Sequence, residues 1–288
     1  MRRCPSSWLL GVSLSVALLA GCAPSFEPVK PRGDWVKDWL ALPASTGSEV
    51  AVAVIDGGVL DHPVLDGRVA DEWEAGSLTG LPRTSHGTEM AGLLLGASDV
   101  DSTLITGIRI LDVRVLDDHG SGRPVDIAEG TRWAVARGAD LIVMSLSISI
   151  DDPDLRNAVA EAVSSGVTVV ASTTNGFSDS PSYPAEYPGV IGVTSVSPSL
   201  ALAPLGVLRG ADIAAPGDHV VAPSSEQRFR TLSGTSAAAA TAASVIAACP
   251  GVLGLDESGV IAYAEDSGAT VASDEHSIPV LRCLTKRN

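Results

Sequence analysis

An aspartate, a histidine and a serine, each at the edge of a regular element, could together activate a hydroxyl for attack on a carbonyl carbon. Asp56 closes Val52-Ala53-Val54-Ile55-Asp56-Gly57-Gly58, His86 stands in Ser85-His86-Gly87-Thr88, and Ser236 ends Leu232-Ser233-Gly234-Thr235-Ser236. A histidine can give one ring nitrogen to a carboxylate and the other to a hydroxyl, and so act as a general base. A serine paired in that way becomes a nucleophile. Every member also has an ordinary reading. Asp56 could simply end a strand or begin a nucleotide-binding turn, although no G-x-G-x-x-G follows it. His86 could cap a helix through backbone contacts, and Ser236 could be a plain N-cap. Glycosidase-style carboxylate pairs and Cys/His metal spacings are absent.

The elements around these residues would have to position them. Glu49 to Ile55 is an apolar, β-branched run, read as a buried parallel strand with Asp56 at its C-terminal end. Catalytic groups of open α/β sheets gather at that edge. Met90 to Leu95 is an apolar helical stretch just after His86, with Gly87 and Gly92 permitting close packing. Ala237 to Ala248 is an alanine-rich helix former. Ser236 would then lie at a helix N-terminus, where free N–H groups and the dipole favour developing negative charge. In the middle of the chain Ile127, Ala128, Thr131, Ala134 and Val135 share a helix face, followed by a strand at Asp140 to Met144. Leu155, Val159, Ala162 and Val163 mark a second helix, followed by a strand at Val167 to Ala171. The alternation predicts an α/β fold, a mostly parallel sheet with helices on both faces, in a single catalytic domain.

Taken with their order along the chain, the three segments resemble the subtilase family of serine peptidases, roughly from Glu49 to Ala269. The resemblance implies a triad of Asp56, His86 and Ser236. It also implies an oxyanion donor, because Gly166 to Gly176 resembles the family strand that delivers an asparagine, here Asn175. Tyr183-Pro184 and Tyr187-Pro188-Gly189-Val190-Ile191-Gly192-Val193 continue that pattern. His62-Pro63 and Leu65 resemble the segment after the family's aspartate, with His62 read as a turn residue.

Gly120-Ser121-Gly122 and Ser145-Leu146-Ser147 resemble the two extended segments that pair with a peptide substrate by strand addition. By themselves they read as a flexible loop and a strand end. Ser147 and Thr174 stand where the family usually has glycine, in the pocket for the residue before the cut. Their side chains imply a preference for small or medium apolar residues there. Other departures are Glu89 for a second histidine, Met90 for valine, Ala237 for methionine and Ala240-Thr241 for Pro-His. The missing proline bears on the first turn that aims Ser236.

The start of the chain carries signals of another kind. Residues 1–21 read as a removable signal, with Arg2 and Arg3 followed by an apolar run from Trp8 to Ala20, too short for a membrane span. Leu19-Ala20-Gly21-Cys22 resembles the bacterial lipobox, which implies cleavage before Cys22 and its diacylation. An ordinary secretory signal with an incidental cysteine is the alternative. Two or three acyl chains anchor stably where one is marginal. Residues 22–34 then form the lipidated cysteine and a proline-rich tether, and residues 35–288 the peptidase domain. The stretch from Cys22 to Asp56 is too short for the folding prodomain that many secreted subtilases carry.

With 288 residues and 45% hydrophobic content, the chain can bury one large core. Its formal net charge is −15, and loss of residues 1–21 removes two arginines and no acid. Such an acidic balance argues against nucleic acid and against polybasic docking to a membrane. The expected partners are a peptide or protein substrate and, through the lipid, the outer side of a bacterial membrane, with the chain itself a monomer. With Cys4 removed and Cys22 lipidated, Cys249 and Cys283 remain, to pair in an oxidising compartment or to stand as two thiols. No cofactor is required. Asp99, Asp101, Asp151, Asp152 and Asp154 offer oxygens of the kind calcium takes, since subtilases often bind calcium in loops, or else form solvated acidic loops.

The expected function is therefore that of a lipid-anchored, extracytoplasmic serine endopeptidase. One rival is a catalytically silent subtilase fold kept for binding, suggested by the departures above. Another is a nucleotide- or solute-binding α/β domain, which leaves His-Gly-Thr and Gly-Thr-Ser-Ala unexplained.

Overall fold

In the computed structural model, which describes residues 35–98, 104–176, 180–225, 228–272 and 277–284, alternation along one strand divides the interior in two. That strand, β1 (Ser45–Asp56), follows a short helix α1 (Trp35–Leu40). Val50, Val52 and Val54 enter one apolar cluster, while Ala51, Ala53 and Ile55 enter another. A period of two sends alternate side chains to opposite faces. With both faces covered, such a strand is apolar throughout rather than alternating.

The chain continues through β2 (Val69–Glu74), α2 (His86–Leu94), β3 (Thr106–Arg114), α3 (Pro124–Ala136), β4 (Leu141–Met144), α4 (Pro153–Ser164) and β5 (Thr168–Ser172). Then come β6 (Val190–Val196), β7 (Ile213–Pro216), β8 (Val220–Pro223), β9 (Phe229–Leu232), α5 (Thr235–Ala248), α6 (Glu257–Glu265), β10 (Thr270–Ala272) and β11 (Ser277–Pro279). Seven parallel strands form the main sheet in the order β2-β3-β1-β4-β5-β6-β7. Helices α2, α5 and α6 supply the cluster on one face, and α3 and α4 the cluster on the other. This is the single α/β domain with helices on both faces that the alternation predicts.

Two features of this topology place the site. The strand order reverses at β1, which has β3 on one side and β4 on the other. Open α/β sheets bind ligands in the crevice at such a reversal, beyond the carboxyl ends of the strands. Those ends are level here: Asp56 pairs with Arg114, Ile55 with Met144, and Met144 with Ala171.

Helix α5 is the second feature. Every residue in it except Ser236 is buried, and it packs on α2 and on β1, β4, β5, β6 and β7. A helix that is apolar all round belongs in the interior. Its alanines keep the helix backbone close to the strands, because interaxial distance follows side-chain size. Cys249, just after α5, is disulfide-bonded to Cys283, with Cα atoms 5.6 Å apart. The tail beyond β11 is thereby joined to the end of the serine helix.

Among the described residues no helix is long and apolar enough to cross a membrane. The signal and tether readings of residues 1–34, Cys22 included, and the acidic residues Asp99 and Asp101 lie outside the described residues.

Candidate active site

Asp56 is fully buried at the carboxyl end of β1, where the Gly57 N–H donates to its Oδ1 at 2.6 Å. The chain then turns through Gly58 at φ 92°, a conformation natural to glycine. Helix α2 begins against this turn. A Cβ on Gly87 would run into the Gly58 carbonyl, so the absence of a side chain at 87 lets the first turn of α2 approach β1. His86 is brought in by that approach, and its Nδ1 lies 2.8 Å from both Asp56 carboxylate oxygens. The Asp56 charge raises the His86 pKa from 6.5 to about 9, against burial, which pulls it down; Glu89 adds to the rise and Arg230 opposes it. An imidazole that donates through Nδ1 keeps Nε2 as an acceptor.

Ser236 enters from the first turn of α5. Its hydroxyl donates to the Ser145 carbonyl at 3.1 Å, and the Ser145 hydroxyl donates to the Ser236 carbonyl at 3.0 Å. The reciprocal pair ties the start of α5 to the end of β4. Thr241, which stands where a histidine is usual, donates its hydroxyl to the Pro216 carbonyl at 2.6 Å. The Ser145–Ser236 pair fixes the start of the helix and the Thr241 bond fixes its middle. The Ser236 hydroxyl thus rests on Ser145 rather than on His86. Turning it to His86 Nε2 gives up one neutral hydrogen bond, worth about 1 kcal/mol. Catalytic hydrogen bonds commonly tighten only when substrate arrives.

Asn175 follows β5. The Thr235 N–H can only donate, and it lies 2.9 Å from Asn175 Oδ1; the Thr235 hydroxyl lies 3.0 Å from the same oxygen. With the amide oxygen held in this way, Nδ2 is the end left to donate. The Ser236 N–H, in the first turn of α5, belongs to the group of helix donors that have no intrahelical acceptor.

Asp56, His86, Asn175 and Ser236 line one cleft of about 380 Å³, together with Gly120, Gly122, Ser145, Leu146 and Ser147. Ser121 and Thr174 adjoin this cleft without lining it. The Ser121 N–H is taken by Asp117 Oδ1 at 2.9 Å, and the Thr174 N–H by Ser182 Oγ at 2.8 Å. Asp117 Oδ1 also accepts the His119 N–H at 2.9 Å, so the glycine loop is tied down by its own aspartate. His62 is a turn residue, its Nδ1 accepting the Val64 N–H at 3.3 Å.

Of the acidic calcium candidates within the described residues, Asp151 is ion-paired with Arg156, and Asp154 with Arg132 at 2.7 Å. Asp152 caps α4 by accepting the Asp154 and Leu155 N–H groups at 3.0 Å each. Each carboxylate already has protein donors. Among the described residues no group of three or more His, Cys, Asp or Glu side chains is placed to hold a metal ion.

Two further residues belong to the site. Arg230 lines the cleft, and it is paired with Glu89, which is fully buried. Glu89 in place of a second histidine is the one sign of this pair in the sequence, and no motif surrounds Arg230.

Over residues 47–250 the chain matches the Subtilase family. It is 34% identical to thermitase of Thermoactinomyces vulgaris over 200 residues, which are 67% of this chain and 71% of thermitase. It is 31% identical to the minor extracellular protease Epr of Bacillus subtilis (strain 168) over 231 residues, 77% of this chain but 34% of Epr. Among solved structures it resembles a cold adapted subtilisin-like serine proteinase, with a TM-score of 0.70 and 25% identity, over 84% of this chain and 91% of that one. The match to the family runs from within β1 to just past α5, and so takes in every strand end around the crevice. The chain belongs to the subtilase family, the subtilisin-like serine endopeptidases.

Proposed function

We propose that the chain is a working, lipid-anchored, extracytoplasmic endopeptidase that uses Asp56, His86 and Ser236 as its triad and Asn175 as an oxyanion donor. The observation that carries this reading is the 2.8 Å approach of His86 Nδ1 to both Asp56 oxygens, in one cleft with Ser236 and Asn175. Ser236 Oγ bonds to the scissile carbonyl carbon while its proton passes to His86 Nε2. The carbonyl electron pair moves onto oxygen, where Asn175 Nδ2 and the Ser236 N–H receive it. As the intermediate collapses the C–N bond breaks, and His86 gives the proton to the leaving amine. Water then attacks the acyl-serine ester along the same path, with His86 again first base and then acid, freeing the acid product and Ser236. Asp56 orients His86 and stabilises the imidazolium. No step calls on a cofactor.

The extended segments at Gly120–Gly122 and Ser145–Ser147 flank the substrate backbone as added strands. Ser147, an exposed lining residue, narrows the pocket for the residue before the cut, which favours small or medium apolar side chains. The location rests on the basic-then-apolar run ending at Cys22 and on likeness to a protease named as extracellular. In cells fed a fatty-acid probe the chain should take up label, and Cys22→Ser should remove the label and release the chain into the soluble fraction. Label retained in that variant would rule out Cys22 as the anchor.

The direct test is fluorophosphonate labelling of the full-length protein, with folding followed by circular dichroism. Ser236 should be labelled, and Asn175→Ala should lower peptide turnover by about 10²–10³ while the fold persists. A folded chain that never labels would defeat this reading in favour of a silent, surface-tethered binding module.

A further inference from the structure

One charged group in the cleft has no part in acyl transfer. Arg230 on β9 donates from Nη2 to Glu89 Oε2 at 2.7 Å, and its Nε stands 2.7 Å from Glu89 Oε1 in an ion pair. Glu89 Oε1 also accepts from the Ser85 hydroxyl at 2.7 Å and from the Ser224 hydroxyl at 3.1 Å. The carboxylate is wholly buried, whereas the Arg230 side chain is 55% exposed. A buried acid with three hydrogen-bond donors and an ion pair is a fixed anchor, and a two-point contact with it sets the plane of the guanidinium. Among the described residues Arg230 Nη1 has no partner. With the Nε–Nη2 edge facing Glu89, the Nη1–Nη2 end keeps unpaired N–H groups on a residue that lines the same cleft as His86 and Ser236. That end is a second two-point site for a carboxylate.

The position of the pair on α2 assigns the site to one part of the substrate. Glu89 is three residues after His86, one turn along the same helix, so Arg230 is held beside His86. Asn175 and Ser145–Ser147 come from other elements, the ends of β5 and β4, and they hold the acyl part and its oxyanion. His86 is the group that hands a proton to the leaving amine. What lies against its wall is the segment that leaves. The field of the whole molecule, at net −15, repels acidic peptides. Any taste for an acid must therefore come from a local cation of this kind.

We propose that Arg230, fixed by Glu89, recognises a carboxylate on the leaving-group side of the scissile bond, either an Asp or Glu side chain next to the cut or the substrate's own C-terminus. The inference rests on the peptidase reading and deepens it.

The test uses the full-length protein, with its active fraction counted by fluorophosphonate titration. One series of C-terminally amidated peptides carries Glu, Gln or Lys in the two positions after the cut. A second series keeps Gln there and ends, as free acid or as amide, one or two residues beyond the cut. In the wild type, kcat/KM should favour Glu, or the free acid, over the neutral partner by about tenfold, the scale of a charge-assisted bond. Lys should be the poorest of the three. The double variant Glu89→Gln/Arg230→Gln, which avoids leaving a buried unpaired acid, should bring the ratio close to one. Arg230→Lys should keep part of it, as a point charge without the fork. Preference in the first series alone assigns the side chain, and in the second alone the C-terminus. A titratable wild type with no preference for carboxylate overturns the inference and leaves the peptidase standing, as does a preference that survives in the double variant. A wild type that fails to titrate strikes the peptidase reading itself, and the inference falls with it.

Discussion

Replacing Ser236 by alanine is expected to lower turnover by about 10⁶ and to leave the fold intact. The size of the loss follows from the way the groups act together. On the proposed mechanism, without Oγ there is no atom to form the acyl intermediate, so His86 and Asp56 have nothing to activate, and only the oxyanion donors and the binding segments still contribute. The small structural effect follows from the local contacts. Ser236 is the one residue of α5 that is not buried, and its hydroxyl makes a single neutral bond, to the Ser145 carbonyl. The reverse bond, from the Ser145 hydroxyl to the Ser236 carbonyl, uses backbone and survives the substitution. Alanine is also the better helix former. The net change in stability should therefore stay within about 1 kcal/mol. Thermal unfolding beside a peptide-hydrolysis assay checks both halves. Appreciable hydrolysis by a folded Ser236→Ala chain would move the nucleophile elsewhere.

The parts of this molecule that are legible in its sequence are those whose signal is local. β1, α3, α4 and α5 each carry a period or a composition of their own, and the structure places them close to where that pattern does. Sheet order is not legible in this way. Parallel strands joined by crossovers bear no local sign of which neighbour they accept, so the reversal at β1 emerges only from the assembled sheet. Short strands are hidden as well: β8 and β9 have four residues each, too few to show a period.

The same division runs through the site. Asp56, His86 and Ser236 can be found because each ends or begins an element and sits among glycines that the close packing requires. Asn175 lies in an ordinary turn, and only the likeness of the whole strand to a family pattern singles it out. Glu89 and Arg230 are 141 residues apart, and they meet because the β8–β9 hairpin folds onto α2. No spacing rule announces such a contact. For Thr174, a glycine-to-threonine change marks a pocket position, but its backbone is drawn to Ser182 and the residue stands beside the cleft.

Changing Asp56 to asparagine should lower kcat by about 10⁴, a loss that comes from a misplaced proton rather than from a lost shape. Asp56 Oδ1 accepts the Gly57 N–H at 2.6 Å, a bond that only the oxygen of an asparagine amide can keep. The amide nitrogen then takes the place of Oδ2, which is 2.8 Å from His86 Nδ1. A donor facing Nδ1 makes that nitrogen the acceptor and puts the ring proton on Nε2, where it cannot receive the proton of Ser236. The pH dependence should change in step. In the wild type the Asp56 charge lifts the His86 pKa from 6.5 to about 9, and in the proposed mechanism His86 must be neutral to act as the base. Its kcat/KM should accordingly rise with pH across that window.

Stability runs the other way. A group whose folded pKa is raised stabilises the fold fully below its unfolded value and loses that contribution as pH climbs through the folded one. The wild-type Tm should therefore sag between about pH 6.5 and 9, while activity climbs. In Asp56→Asn the largest lifting charge is gone; burial and Arg230 pull the His86 pKa down, and Glu89 alone opposes them. The acidic limb of its residual activity should move to lower pH, and the sag in Tm over the same window should disappear. Parallel profiles in the two proteins would mean that Asp56 does not set the charge on His86.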